Sequence, residues 1–176
     1  AGAARRQPLA SPLRAVGAIA ADERRTAVVA PRFEGWVQDL LANTTGQAVK
    51  RGEALFTFYS PEAAAAEREY LVARQVSGAV AEAATEKLRN LGIPMERIAQ
   101  LKRGGKPSNV LTYPAPLDGI VMDKAVLAGQ RFAAGDTLYR IADLSTVWVL
   151  TDVFEQDLAA VRAGEAVAIR LPAYLR

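Results

Sequence analysis

The sequence predicts a mainly β chain with a helical hairpin insert, and three observations carry that expectation. A stretch of eleven residues occurs twice, an alanine-rich run lies between the copies, and short β-type runs flank both. The first copy, Gly46–Phe56, and the second, Gly129–Tyr139, share an opening Gly-Gln, a second Gly six residues on, then Leu and an aromatic. The copies lie 83 residues apart, from Gly46 to Gly129 and from Gly52 to Gly135. Their lead-ins match as well: Ala30-Pro31-Arg32-Phe33-Glu34-Gly35-Trp36-Val37 and Ala115-Pro116-Leu117-Asp118-Gly119-Ile120-Val121. So many aligned positions read as an internal repeat rather than as two unrelated hairpins.

Glycines six residues apart supply positive φ where short strands reverse, and the apolar residues between them point to one side. Two such units, each too small to bury its own apolar face, cover one another as a flattened β-sandwich.

Composition narrows the function classes. The chain has 176 residues, 51% hydrophobic and 23% charged, which suits one moderate domain or a few small ones. Its 22 basic and 19 acidic residues are interspersed, for a net charge of +3. The one basic cluster, Lys102-Arg103-Gly104-Gly105-Lys106, reads as a solvated loop, so no nucleic-acid partner is expected. There is no Cys and no His, which removes disulfides, Cys/His metal sites and His-based triads from this span. No apolar run reaches membrane-spanning length and no signal-peptide pattern is present, so the span is expected to be soluble as given.

Taken in order, residues 1–13 read as a tail with Pro8 and Pro12, and Val16–Val29 as one or two strands. Trp36–Leu40 is a strand, residues 43–46 a turn, and Leu55–Tyr59 an aromatic-rich strand. Ser60-Pro61-Glu62 then announces a helix: a serine N-cap, proline at the first helical position, and a carboxylate near the positive helix end. The alanine-rich run carries it to about Val76, where Ser77-Gly78 breaks it. A second helix places Val80, Ala84, Leu88 and Leu91 on one face and ends at Gly92. A short third begins at Pro94 and carries Ile98 and Leu101. After the second repeat come two strands around a turn at residues 143–145, helical turns over 155–161, and an alternating strand at Val167, Ile169 and Leu171.

Several segments in this order resemble a known family. They are Phe58-Tyr59-Ser60-Pro61-Glu62, Glu69-Tyr70-Leu71, Lys87-Leu88-Arg89-Asn90-Leu91-Gly92-Ile93 and Ala142-Asp143-Leu144-Ser145-Thr146-Val147-Trp148-Val149. The half-motifs resemble those of the lipoyl/biotinyl fold, and the whole resembles the periplasmic adaptors, or membrane fusion proteins, of RND efflux systems, in their CusB-like heavy-metal branch. The resemblance covers residues 14–174. It implies an elongated modular adaptor in three parts: a lipoyl-like sandwich (30–59 and 109–143), an α-helical hairpin with a short third helix (60–108), and a partial β-barrel (14–29 and 144–176). It further implies a protein without catalysis or cofactor, periplasmic and associated with the inner membrane. Its partners would be an inner-membrane RND transporter, an outer-membrane channel and further copies of itself in a ring. Heavy-metal cations would be the cargo, copper or silver first. Family barrels need strands beyond this span, so Arg176 is expected to be an early stop that leaves the barrel unclosed.

For the hairpin tip the resemblance implies partner contact through Arg74, Gln75, Val76, Ser77 and Gly78. Other residues have plainer readings. Trp36 and Trp148 are expected in the core, and Met95 and Met122 as core filler rather than metal ligands. Glu67, Arg68, Glu69 and Arg74 read as a solvated face. Val121-Met122-Asp123-Lys124-Ala125 resembles the lysine hairpin of lipoyl carriers, but a carrier bears its lysine on the turn that joins the half-motifs, and here the helical insert occupies that joint. Lys124 is therefore expected at a strand end facing solvent, and an adaptor of a drug or ABC-type exporter remains the nearer alternative.

Overall fold

The computed structural model describes residues 13–171, so the lead-in before Leu13 and the end from Pro172 to Arg176 lie outside the described residues. The chain falls into two compact units, residues 21–147 and, from the described termini, residues 13–20 with 148–171.

In the larger unit eight strands follow the repeat. The first half supplies β2 (Thr26–Val29), β3 (Gly35–Leu40), β4 (Ala48–Val49) and β5 (Ala54–Tyr59). The second supplies β6 (Leu111–Pro114), β7 (Gly119–Lys124), β8 (Arg131–Phe132) and β9 (Tyr139–Ala142). They form two antiparallel sheets, β2-β9-β7-β4 and β6-β5-β3-β8. Each half thus contributes the central pair of one sheet and both edge strands of the other. Neither half can bury its face alone, which is the physical content of the repeat.

The repeated residues do matching work in the two halves. Gly46 donates to the Val121 carbonyl (2.8 Å) and Gly129 to the Val37 carbonyl (2.9 Å), each with φ near +80 to +90°. The Gln47 side chain accepts from the Asn43 amide (3.1 Å), and Gln130 accepts likewise from Leu127 (2.9 Å). A Cβ on Gly35 would lie 2.6 Å from the Tyr59 carbonyl oxygen, and one on Gly119 would lie 2.5 Å from that of Ala142. Both glycines let a central strand pass close beneath its neighbour.

Between the sheets, Val37, Phe56 and Phe58 point inward with Val121, Phe132, Tyr139 and Ile141, all buried. The repeat-related Phe56 and Tyr139 stack on each other, 5.8 Å apart and 9° from parallel. The Tyr139 hydroxyl donates to the Ala42 carbonyl at 2.9 Å, which satisfies its one buried polar atom.

The helices α1 (Pro61–Val76), α2 (Gly78–Asn90) and α3 (Met95–Lys102) occupy the joint between the halves. Ser60 caps α1 by accepting from the Ala63 amide at 3.3 Å, with Pro61 at the first position as its sequence predicts. Gly92, at φ +77°, follows α2, and Pro94 precedes α3.

In the smaller unit β1 (Gly17–Ala21) and β10 (Val147–Thr151) pair as a two-stranded sheet, and the Thr151 hydroxyl donates to the Val16 carbonyl at 2.9 Å. Two segments depart from the sequence reading here. Thr26–Val29, grouped by that reading with the partial barrel, pairs instead with β9 in the sandwich, in the register Thr26↔Ala142 to Val29↔Tyr139. The alternating Val167, Ile169 and Leu171 form no strand, and Val167 is 80% exposed. Alternation marks a face for burial, but a strand needs a backbone partner as well.

Candidate functional site

The first candidate is the junction of α1 and α2, built on a single residue. The Ser77 amide donates to the Ala73 carbonyl (3.3 Å) at the end of α1, while its hydroxyl accepts from the Val80 amide (3.3 Å) at the start of α2. One serine thus closes one helix and opens the next, so the chain reverses with no intervening loop. The reversal lays α2 back along α1, where Glu69 and Lys87 form an ion pair and Ala73, Ala84 and Leu88 are buried.

The five tip residues differ in what they are free to do. Gln75, Val76, Ser77 and Gly78 are exposed, and a side chain at Gly78 would meet open space. Arg74 is exposed too, but its guanidinium donates to the Leu101 carbonyl at 2.9 Å and so ties α1 to the end of α3. Val72 and Val76 on α1 and Val80 on α2 are exposed apolar residues flanking the junction.

Below the tip lies a polar contact that charge patterning alone misplaces. Glu67, read from its neighbours as part of a solvated face, is fully buried. Both its carboxylate oxygens accept from Arg97 of α3, at 2.6 Å each, and one also accepts from the Ser108 amide at 3.1 Å. Arg97 donates further to the Lys106 carbonyl at 3.0 Å. The bond to Glu67 strengthens the guanidinium's hold on its proton, and burial opposes that. This bidentate pair pins α3 and the returning chain to α1. Its partner lies thirty residues away in sequence, and the only signal for it is an Arg placed one residue before the buried Ile98.

Trp36, expected in the core, is 39% exposed because it alternates with the inward Val37; Trp148 is half-buried. Met95 and Met122, expected as core filler, are 57% and 41% exposed. One sits at the first residue of α3, and the other at an irregularity in the β7–β9 register. Lys124 stands at the end of β7, half-buried, with its amine donating to the Val126 carbonyl at 3.0 Å. One shallow surface hollow is lined by Glu23, Thr26, Met122, Asp123 and Arg140, and a second by Arg24, Arg25, Arg51, Asp118 and Asp143. In the second, the Ser145 amide and Arg25 hold the Asp143 carboxyl below its ordinary range, the amide contributing most. Among the described residues no group of three or more His, Cys, Asp or Glu is placed to hold a metal ion, and no helix is long and apolar enough to cross a membrane.

The arrangement of two repeat-related sheets with helices at their joint has counterparts. The family model of the CusB barrel-sandwich hybrid domain matches residues 26–142, from the first strand of the sandwich to its last. The chain belongs to this family. It is 27% identical over 154 residues to the cation efflux system protein CusB of Escherichia coli K12, covering 86% of this chain and 38% of that one. It is likewise 27% identical to the cobalt-zinc-cadmium resistance protein CzcB of Cupriavidus metallidurans, covering 87% of this chain and 34% of that protein. The chain therefore spans little more than a third of these relatives. Among solved structures, ZneB of Cupriavidus metallidurans matches with a TM-score of 0.55 at 25% identity, over 83% of this chain and 72% of that one.

Proposed function

We propose that the chain is part of a non-catalytic periplasmic adaptor in tripartite heavy-metal efflux. In this reading it joins an inner-membrane RND transporter to an outer-membrane channel and assembles with copies of itself around the conduit. The observation that carries the proposal is the family match over the whole sandwich, with the helices inserted where the two halves join. In this role α1 and α2 form the hairpin that meets the channel through Gln75, Val76, Ser77 and Gly78. Arg74 meets the channel with them while one of its guanidinium nitrogens ties the tip to the Leu101 carbonyl. The β1–β10 pair belongs to the partial barrel on the pump side. The cargo is a heavy-metal cation. Copper or silver is favoured by the CusB likeness, and the cobalt, zinc and cadmium of CzcB's name form the competing set.

Metal tolerance tests both levels. Deleting the gene should sensitise its host to copper or silver more than to zinc, cobalt or cadmium, and the opposite order would move the cargo to the second set. Sensitivity to organic compounds alone would favour a drug exporter. Ala84→Pro, in the middle of α2, should cost about 3 kcal/mol of local helix stability and abolish export while leaving the sandwich folded. Export that survives it would show that the hairpin is not the channel contact. The carrier reading finds no joint for its lysine, since Lys124 lies within the second half, and intact mass from the native host should show no lipoyl or biotinyl adduct.

A further inference from the structure

The basic segment Lys102-Arg103-Gly104-Gly105-Lys106 leaves α3 as a tight turn that is built to hold its shape. A Cβ on Gly105 would lie 2.8 Å from the Gln100 carbonyl oxygen, and Gly104 has a φ of +98°, so neither position takes another residue without strain. The amides of Arg103, Gly104 and Gly105 donate back to the carbonyls of Ala99, Leu101 and Gln100 at 2.9 to 3.1 Å. The Lys106 carbonyl accepts from Arg97, itself fixed by the buried Glu67.

This turn lies beside the hairpin tip. Arg97 of α3 meets Glu67 of α1 and Leu101 meets Arg74, so α3 runs alongside α1 in the same direction. Its end comes level with Arg74, about 4.5 Å of helix before Ser77. Arg74, Lys102, Arg103 and Lys106 are all exposed, and none makes an ion pair among the described residues. The carboxylates of the helical region are engaged elsewhere. Glu67 is held by Arg97, Glu69 by Lys87, and Glu82 and Glu86 by Arg89, while Glu62 and Glu96 stand in the opposite, first turns of α1 and α3. Lys102, in the last turn, complements the negative end of α3, but Arg103 and Lys106 follow the helix. Four cations that repel one another are thus gathered with no internal carboxylate to answer them.

We infer that this turn is a second docking element, which takes a carboxylate-bearing segment of the protein that the tip meets. Arg74 belongs to both surfaces and makes them continuous. Charges held in a fixed array suit a partner whose carboxylates are fixed too. The turn also lacks any apolar side chain to insert into a bilayer, which stable membrane attachment needs beside a basic patch. The contact rests on the adaptor reading for its partner, and its main effect is to steer encounter.

The probe is the outer-membrane channel of the same host, immobilised, with association of the chain followed over a salt series. Lys102→Glu with Arg103→Glu should slow association about tenfold and flatten its salt dependence, while Lys102→Arg with Arg103→Lys keeps the native rate. Lys106→Glu, outside α3, should slow association in the same direction without touching the helix end. Lys50→Glu with Arg51→Glu makes the same change in net charge on an exposed turn of the sandwich and should leave the rate unchanged. A native rate in the Lys102/Arg103 and Lys106 reversals, or an equal loss in the sandwich variant, would overturn the assignment. So would native binding to phosphatidylglycerol vesicles that the Lys102/Arg103 reversal abolishes while channel association stays intact, since the turn would then serve a lipid surface. A native chain that does not bind the channel overturns the adaptor reading and this contact with it, whereas channel association indifferent to every reversal leaves that reading standing and overturns the contact alone.

Discussion

The two halves of the sandwich differ in a way that separates what the fold demands from what it leaves open. Inside they are near copies: the glycines, the glutamine caps, and the stacked Phe56 and Tyr139 take matching places. Outside they diverge: Trp36 and Tyr59 are exposed, whereas their counterparts Ile120 and Ala142 are half-buried and fully buried. Core positions must interdigitate at near-crystalline density, whereas outer positions need only tolerate water. A repeat drifts where packing does not hold it, so the differences between halves are where surface function is to be sought.

The joint between the halves should give the largest effect. Glu67→Ala leaves the Arg97 guanidinium, 18% exposed, without its carboxylate and should destabilise the helical region by about 3–5 kcal/mol. Loss of amide protection in α3 ahead of the sandwich would be the signature, and uniform loss would mean that the pin serves the whole unit. Next come the close-approach glycines. Gly35→Ala and Gly119→Ala each press a Cβ against a carbonyl oxygen and should each cost about 1–3 kcal/mol in denaturant unfolding. If one half tolerates the change and the other does not, the equivalence of the central strands fails. Smaller again are Gly46→Ala and Gly129→Ala. Both positions have positive φ with open space around them, so backbone strain alone should cost about 1–2 kcal/mol, equally in the two halves.

The smallest effect tests where the stacked pair differs. Tyr139→Phe removes the hydroxyl that donates to Ala42 and makes the two stacking partners alike, at about 1 kcal/mol. Burial pushes the Tyr139 phenol from 10.0 up to about 12, so the folded chain keeps a proton that the unfolded chain releases. That stabilisation is complete below about pH 10 and is lost as pH rises towards 12. Unfolding midpoints followed across this window should fall for the native chain and show a smaller fall in the Phe variant.

The sequence by itself determined what depends on neighbours along the chain. Glycine spacing placed the turns, Ser60-Pro61 placed the start of α1, Ser77-Gly78 its end, and helical periodicity put Leu88, Ile98 and Leu101 inside. Family segments such as Ser60-Pro61-Glu62 were legible because a cap and a first turn are local devices. At the tip, the helix break at Ser77-Gly78 was legible, but the tie of Arg74 to Leu101 was not. Tertiary structure alone decided which partner each group found across a long loop. Glu67 met Arg97, Thr26–Val29 joined β9, Trp36 turned outward with Arg131, and Val167–Leu171 formed no strand despite its alternation. Periodicity says that a residue has a face. What covers that face, or pairs with that backbone, is set by chain segments tens of residues away, whose approach no local pattern encodes.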